Sequence, residues 1–231
     1  MRCWIIVIGA EWSVYTVSSI LKPRDRELVK KKLGEELLST VKILYFTQEI
    51  ECEYCEVTGR LLSELAELNG NLRLEVYDLE RDRDLAERWR IDKIPATILL
   101  GERESWIRFF GVPSGYEFIS LLEDIVDVSR GRSRLPPRAL EMVKSVDKPL
   151  HIQVFVTPTC PYCPRAVRTA HQMALENPKI VADMVEVIEF PHLAQRYRVM
   201  AVPKTVVNDK VEFEGALPEI HYIEHVLQAL S

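Results

Sequence analysis

Four of the five cysteines form two close pairs, Cys52/Cys55 and Cys160/Cys163, with two residues inside each pair. Thiols at this spacing can close a small disulfide ring or supply half of a zinc site. Zinc ribbons and fingers bring their second pair within about 12 to 20 residues, whereas Cys160 follows Cys55 by 105 positions. The spacing therefore favours thiol-disulfide exchange over metal binding.

The chain repeats itself at an offset of 108 residues, which carries the first cysteine pair onto the second. In each half the proline of a later X-Pro pair follows the first cysteine by 43 positions. The same shift matches Tyr54 with Tyr162, Leu85-Ala86 with Leu193-Ala194, Arg88 with Arg196, Arg90 with Arg198 and Ile94-Pro95 with Val202-Pro203. The halves are therefore two copies of one structural unit.

The elements that position the cysteines can be predicted from hydrophobic periodicity. In each copy an apolar run predicts a buried strand that leads to the cysteines, and helical spacing follows them. A second strand, a short helix, two further strands and a terminal helix complete the copy, and a helix precedes each first strand. This order predicts an α/β fold with a mixed sheet flanked by helices in each copy.

A cysteine at the start of a helix has its thiolate stabilised by the helix dipole and by unpaired backbone N–H groups. We therefore expect Cys52 and Cys160 to be the exposed nucleophiles. Cys55 and Cys163 lie one turn further along and are predicted to be the buried resolving thiols. The resolving thiol releases the product by attacking the mixed disulfide that the nucleophile forms.

The repeated X-Pro pairs are predicted to complete each site. We expect both prolines to be cis, which would turn the preceding backbone toward the cysteines and allow it to pair with an extended substrate. The tyrosine inside each CxxC is expected to shield the disulfide and to offer a stacking surface, although a packing role is an equal alternative. The predicted substrate-binding residues are Ile94, Pro95, Val202, Pro203, Tyr54 and Tyr162.

Composition limits the class of protein further. The 231 residues include 30 basic and 35 acidic side chains, with a net charge of -5, so nucleic acid is not an expected partner. Charged residues make up 28% of the chain, a mild indication of a hyperthermophile protein. The apolar stretch Trp4–Ala10 is too short to span a bilayer, so we expect no membrane association and a cytoplasmic location. Cys3 is expected to be incidental.

The residues around both sites resemble the protein disulfide oxidoreductases of hyperthermophiles, a tandem thioredoxin/glutaredoxin-fold family related in activity to protein disulfide isomerase. The resemblance runs from about Arg24 to Ser231. It is carried by Phe155–Pro164, Asp183–Glu186, Val199–Lys204 and Val211–Ala216 in the second copy, and by Trp89–Asp92 and Phe118–Ser129 in the first.

The resemblance implies two tandem thioredoxin-like units, at residues 24–132 and 133–231, after an extension of unknown role at residues 1–23. It also implies a cytoplasmic enzyme without a bound cofactor. Such an enzyme acts on disulfides and dithiols of protein substrates and is reduced by a thioredoxin-reductase-like flavoprotein.

Two positions depart from the thioredoxin pattern. Thioredoxins place a buried acid six residues before the first cysteine, where this chain has Phe46 and Val154. Another acid or water must therefore move the proton of the resolving thiol. Asp78 and Glu186, at matching positions of the repeat, are candidates, although a structural role is favoured for them.

The two pairs have different surroundings, so we expect them to differ in reactivity. Nearby carboxylates disfavour a thiolate and a guanidinium favours one. Cys160 is therefore expected to have the lower pKa and its pair to be the stronger oxidant, unless solvent screens the acidic side chains. The first pair is surrounded by Glu49, Glu51, Glu53 and Glu56, and the second by Thr157, Thr159, Pro161, Pro164 and Arg165.

Two other functions remain open at this stage. One is a redox-inert clamp that holds extended peptides, against which the intact cysteines of both copies argue. The other is a dedicated electron donor to one enzyme, such as a peroxidase. Substrate range separates the dedicated donor from a general protein disulfide oxidoreductase, and the sequence does not reveal that range.

Overall fold

The structure, a computed structural model, describes residues 19–231, so Cys3 and Trp4–Ala10 lie outside the described residues. The helices are α1 (Pro23–Glu36), α2 (Cys55–Ala66), α3 (Arg83–Arg88), α4 (Glu117–Arg130), α5 (Pro137–Lys144), α6 (Cys163–Glu176), α7 (Pro191–Arg196) and α8 (Glu219–Leu227). The strands are β1 (Val41–Thr47), β2 (Leu72–Asp78), β3 (Ala96–Leu100), β4 (Ile107–Phe110), β5 (Leu150–Val156), β6 (Ile180–Glu186), β7 (Lys204–Val207) and β8 (Val211–Glu214).

The predicted order of elements and the α/β class are confirmed. Local sequence signals explain where several helices begin and end. Prolines occupy the first turn of α1, α5 and α7, where the missing N–H costs nothing. Helix α4 ends at Arg130 and is followed by Gly131, which has a φ of 61° in the left-handed region that commonly terminates helices.

The eight strands of residues 19–231 form one sheet, in the order β2-β1-β3-β4-β6-β5-β7-β8. Each copy contributes four strands in the same order, with the first two parallel and the others antiparallel. The copies join where β4 pairs in parallel with β6. The mixed sheets expected for the separate copies are therefore continuous.

A buried ion pair lies on this join. Arg108 of β4 donates from Nε and Nη2 to the two carboxylate oxygens of Asp183 in β6, at 2.7 and 2.8 Å. His151 Nε2 lies 2.6 Å from the same carboxylate. Burial alone would raise the pKa of Asp183, but Arg108 and His151 outweigh it and hold that pKa well below its ordinary value.

Apolar side chains alternate between the two faces of the sheet, as the two-residue period of a strand requires. On β1, Ile43 and Tyr45 face a core shared with α1, α2, α4, α5, α6 and α8. Leu44 and Phe46 face a second core, formed with α3 and α7. Both cores contain residues from the two copies, so hydrophobic packing also crosses the join.

Helices α4 and α6 bring a second charged cluster to the contact between the copies. Arg168 of α6 pairs with Asp124 and Asp127 of α4. His171 is fully buried and its Nδ1 lies 2.6 Å from Asp124. Burial lowers the pKa of His171 to about 3, so the ring is neutral.

The chain before α1 is bonded to the first copy. The backbone N–H groups of Ile20 and Leu21 donate to the carboxylate of Glu64 in α2, at 2.8 and 3.0 Å. Leu21 is buried in the core. Among residues 19–231, no helix has the length and hydrophobicity needed to cross a membrane.

Candidate active sites

Each cysteine pair lies at the turn from a strand to a helix, as predicted. Cys55 is the first residue of α2 and Cys163 is the first residue of α6. Both pairs are closed as disulfides, with Cα atoms 5.4 Å apart in the first and 5.5 Å apart in the second. In the first copy the Tyr45 hydroxyl donates to the carbonyl oxygen of Cys55 at 2.6 Å, which ties the start of α2 to β1.

The exposure of the cysteines agrees with the prediction at three positions and differs at one. Cys55 and Cys163 are buried, and Cys52 is partly exposed. Cys160, expected to be exposed, has only 7% of its surface accessible. Its sulfur accepts the Cys163 N–H at 3.1 Å and lies 3.8 Å from the carbonyl oxygen of Val202. The helix start and the X-Pro loop therefore cover most of it.

Both X-Pro bonds are cis, as predicted. In each copy the carbonyl of the cis-proline accepts an N–H from the glycine that directly follows the last strand, β4 or β8. Gly111 donates to Pro95 at 3.0 Å and Gly215 donates to Pro203 at 2.8 Å. Both glycines have φ near 95°, a conformation that favours glycine. Because Val202 precedes Pro203, its carbonyl lies against the Cys160 sulfur.

The two CxxC tyrosines have different environments. Tyr162 is 71% exposed and available for contact with another molecule. Tyr54 is partly buried and lines a pocket of about 500 Å³ between the copies. A packing role and a role in substrate contact are both compatible with the position of Tyr54.

The two acids proposed as proton acceptors also differ. Asp78 ends β2 and accepts the backbone N–H groups of Glu80 and Arg81, at 3.0 and 2.9 Å. The bond from Arg81 contributes most to lowering the pKa of Asp78. Glu186 ends β6, is only 3% exposed and lines the same pocket as Tyr54. Burial raises the pKa of Glu186.

Sequence reasoning did not single out two further acids. Glu189 is partly buried beside Glu186, and burial raises its pKa to about 7. Glu117 opens α4 and is 1% exposed, and burial raises its pKa to about 7 as well. The preceding N–H, that of Tyr116, donates to the carbonyl of Pro158 at 3.0 Å, so Glu117 lies near the turn that carries Cys160. An acid at a helix start is ordinary, so no sequence signal marked it.

Within residues 19–231, no group of three or more His, Cys, Asp or Glu side chains is arranged to hold a metal ion.

A thioredoxin domain family model matches residues 150–228. A protein disulfide oxidoreductase from Aeropyrum pernix is similar in structure, with a TM-score of 0.84 and 34% identity over 90% of this chain and 93% of that one. The AhpF component of alkylhydroperoxide reductase from Enterococcus faecalis has a TM-score of 0.82 and 26% identity, over 89% and 99% of the two chains.

A curated relative gives a second line of similarity. The corresponding component of alkyl hydroperoxide reductase in Staphylococcus epidermidis is 29% identical over 153 residues, which is 66% of this chain. The chain spans 27% of the length of that relative.

Proposed function

The chain belongs to the family of protein disulfide oxidoreductases, and we propose that it reduces, oxidises and isomerises disulfides of protein substrates. The observation that carries the proposal is the duplicated arrangement of a CxxC at a helix start with a cis-proline loop. One redox unit is assigned to residues 24–132 and the other to residues 133–231.

In the reduced enzyme, the thiolate of the first cysteine attacks one sulfur of a substrate disulfide. A mixed disulfide forms, and the substrate S–S bond breaks to release a thiolate that takes up a proton. The resolving cysteine then attacks the enzyme sulfur of the mixed disulfide. This step closes the enzyme disulfide and releases the second substrate thiol, so two electrons pass to the substrate. The reverse sequence oxidises a substrate dithiol.

Cys52 and Cys160 act as nucleophiles in this proposal, and Cys55 and Cys163 resolve the mixed disulfides. Substrate backbone is held by the residues before and at the cis-prolines, and side chains contact the CxxC tyrosines. The assigned substrate contacts are Ile94, Pro95, Val202, Pro203, Tyr54 and Tyr162.

The second pair is proposed to be the stronger oxidant. The Cys163 N–H that points at the Cys160 sulfur would stabilise a thiolate there, and a hydrogen bond to a charged group contributes about 1.5–3 kcal/mol. Stabilising the reduced form makes the disulfide a better oxidant. The low exposure of Cys160 restricts its partners to extended segments that can approach the sulfur closely.

Glu117 is proposed as a proton acceptor for the second site and Glu186 for the first. Both are buried acids, and burial raises the pKa of each. A carboxyl whose pKa is raised can take a proton from a thiol and return it within one turnover. Asp78 is proposed to have a structural role in the turn after β2, where it accepts the backbone N–H groups of Glu80 and Arg81.

Electrons are proposed to come from a thioredoxin-reductase-like flavoprotein in the cytoplasm. An alternative function is dedicated electron transfer to a peroxidase-type enzyme, and similarity to the AhpF component of alkyl hydroperoxide reductases favours this alternative. A dedicated donor would reduce one partner rapidly and general protein disulfides poorly.

The test compares insulin reduction with dithiothreitol and refolding of scrambled ribonuclease for three proteins. These are the wild type, the Cys52→Ser/Cys55→Ser variant and the Cys160→Ser/Cys163→Ser variant. We expect the wild type to be active in both assays and the variant without the second pair to lose most activity. A wild type that is inactive in both, yet reduces a peroxidase, would favour the dedicated donor. A wild type that is inactive in insulin reduction, in ribonuclease refolding and in reduction of a peroxidase would favour a redox-inert clamp.

A further inference from the structure

The pocket that contains Tyr54 lies beside the first redox pair. Its volume is about 500 Å³, and it is bounded by α2 of the first copy, the loop from Val112 to Gly115 and the segment that follows β6. Pro158, two residues before Cys160, also borders it. Both copies therefore contribute to a pocket that adjoins the CxxC of the first copy through Tyr54.

Most of the pocket wall is apolar. Val57 is 37% exposed and Ile188 is 63% exposed, so large apolar side chains remain open to solvent at this place. The remaining apolar wall consists of Ile20, Leu21, Leu61, Val112 and Phe118. Such walls suit the aliphatic part of a long side chain.

Two carboxyl groups of the second copy complete the pocket. Glu189 accepts the Val112 N–H at 2.7 Å, and Glu186 accepts the Glu189 N–H at 2.9 Å. Within residues 19–231, the other oxygens, Glu186 Oε1 and Glu189 Oε2, are buried without a hydrogen-bond partner. Glu186 is only 3% exposed. Native structures rarely leave buried acceptors unpaired, so these two oxygens are suited to accept hydrogen bonds from a bound group.

The charge of the pocket indicates which kind of hydrogen-bond donor would bind there. None of the described residues lining it is a lysine or an arginine. Burial is the main cause of the raised pKa of Glu189, and the charge of the neighbouring Glu186 raises that pKa further. A cation would relieve the repulsion between the two carboxyls and would satisfy the unpaired oxygens. Lysine and arginine combine a cationic head with an aliphatic stem that packs on apolar surfaces, so they match both parts of the pocket.

We propose that this pocket receives a lysine or arginine side chain of the protein substrate, so that the Cys52/Cys55 pair prefers cysteines flanked by a basic residue. This inference rests on the proposed function. The pocket is lined by Tyr54 of the first CxxC and by no residue of the second CxxC, so the preference belongs to the first pair.

The test uses disulfide-linked fluorescent peptides that differ only in lysine or glutamine at each position flanking the cysteine. The Cys160→Ser/Cys163→Ser protein isolates the first pair. We expect kcat/KM to be about tenfold higher for the best lysine peptide, since a charge-assisted hydrogen bond is worth that factor. The preference should fall toward unity in Glu186→Gln/Glu189→Gln, while Glu56→Gln, an exposed position outside the pocket, should retain it.

A second variant keeps the test decisive if the double change disturbs folding. Val57→Lys places a cation on the pocket wall, so it should abolish the lysine preference, whereas Val57→Gln should retain most of it. Equal turnover of lysine and glutamine peptides by the unmodified pocket would overturn the inference and leave the proposed function intact. Failure of the isolated first pair to exchange with any peptide, while the wild type does exchange, would refute the inference alone. Failure of the wild type as well would refute the proposed function and the inference with it.

A second copy of this chain could also supply the cation. Sedimentation would then show that the protein with the unmodified pocket is a dimer and that the Glu186→Gln/Glu189→Gln variant is a monomer. Such a dimer without any lysine preference would overturn the assignment to substrate.

Discussion

Replacing Glu117 by glutamine should change how the stability of the protein depends on pH. The carboxyl is 1% exposed, its Oε2 accepts the Ser120 hydroxyl at 2.7 Å, and its Oε1 has no partner within the described residues. Burial therefore penalises the charged form and raises the pKa from its ordinary value of 4.5 to about 7. Glutamine keeps the shape and the bond from Ser120 but cannot ionise.

The sign follows from proton linkage. Between the two pKa values the folded state binds more protons at this position than the unfolded state does, so the free energy of unfolding falls as pH rises. Each pKa unit corresponds to about 1.4 kcal/mol. Glu117 should therefore lower wild-type stability by about 3 kcal/mol between about pH 4 and pH 8, with little change above that range.

The assay is urea unfolding of the oxidised wild type and of Glu117→Gln across this pH range. The stability of the variant relative to the wild type should rise by about 3 kcal/mol toward high pH. Glu56→Gln, which removes an exposed carboxylate, should follow the wild type within about 0.5 kcal/mol. Parallel curves for the wild type and Glu117→Gln would refute the claim that burial keeps Glu117 protonated near neutral pH.

Three further predictions concern the join and the redox pairs. Arg108→Met should cost about 3–5 kcal/mol in urea unfolding, because it removes the guanidinium from the buried Asp183 charge and leaves only His151 beside it. Adding Asp183→Leu should recover most of the loss, and a loss of less than about 1 kcal/mol would contradict this prediction. Gly111→Ala should destabilise the protein more than Gly215→Ala. Both glycines have φ near 95°, but a Cβ at Gly111 would lie 2.8 Å from the Glu186 Cβ, whereas a Cβ at Gly215 would meet open space. Equal losses of unfolding free energy would contradict this prediction. The reduction potential of each pair can be measured by equilibration in glutathione buffers followed by alkylation of the free thiols. The potential of the second pair should lie at least about 30 mV above that of the first, which is a tenfold difference in equilibrium constant. Equal potentials would contradict the proposed asymmetry.

Much of the fold and the redox chemistry could be predicted because the signals are local. The strand before Cys52 was predicted from an apolar run, and α2 from helical spacing after it. The offset of 108 then assigned the same elements to the second copy. The cis state of Pro95 and Pro203 was predicted from their equal distance to the cysteines.

The environment of individual side chains was harder to predict. Cys160 was expected to be exposed, but the Val202 loop covers it, and that loop lies 42 residues away in the chain. Glu186 was considered only in relation to Asp78, its counterpart in the repeat. The two residues have different environments in the structure, because Asp78 ends an edge strand whereas Glu186 ends β6, which pairs with the other copy. Repeat symmetry cannot reveal this difference.

The sequence by itself determined the two copies, their α/β elements and the thiol chemistry at the helix starts. Periodicity, capping and CxxC spacing are properties of neighbouring residues, so they can be interpreted without coordinates. Only the tertiary structure decided that β4 pairs with β6, and that join places Glu186 and Glu189 beside the Tyr54 of the first copy. The sequence shows that a residue carries a carboxyl group but not whether water or protein surrounds it. The charge and the hydrogen-bond partners of that group depend on which surfaces meet when the chain folds.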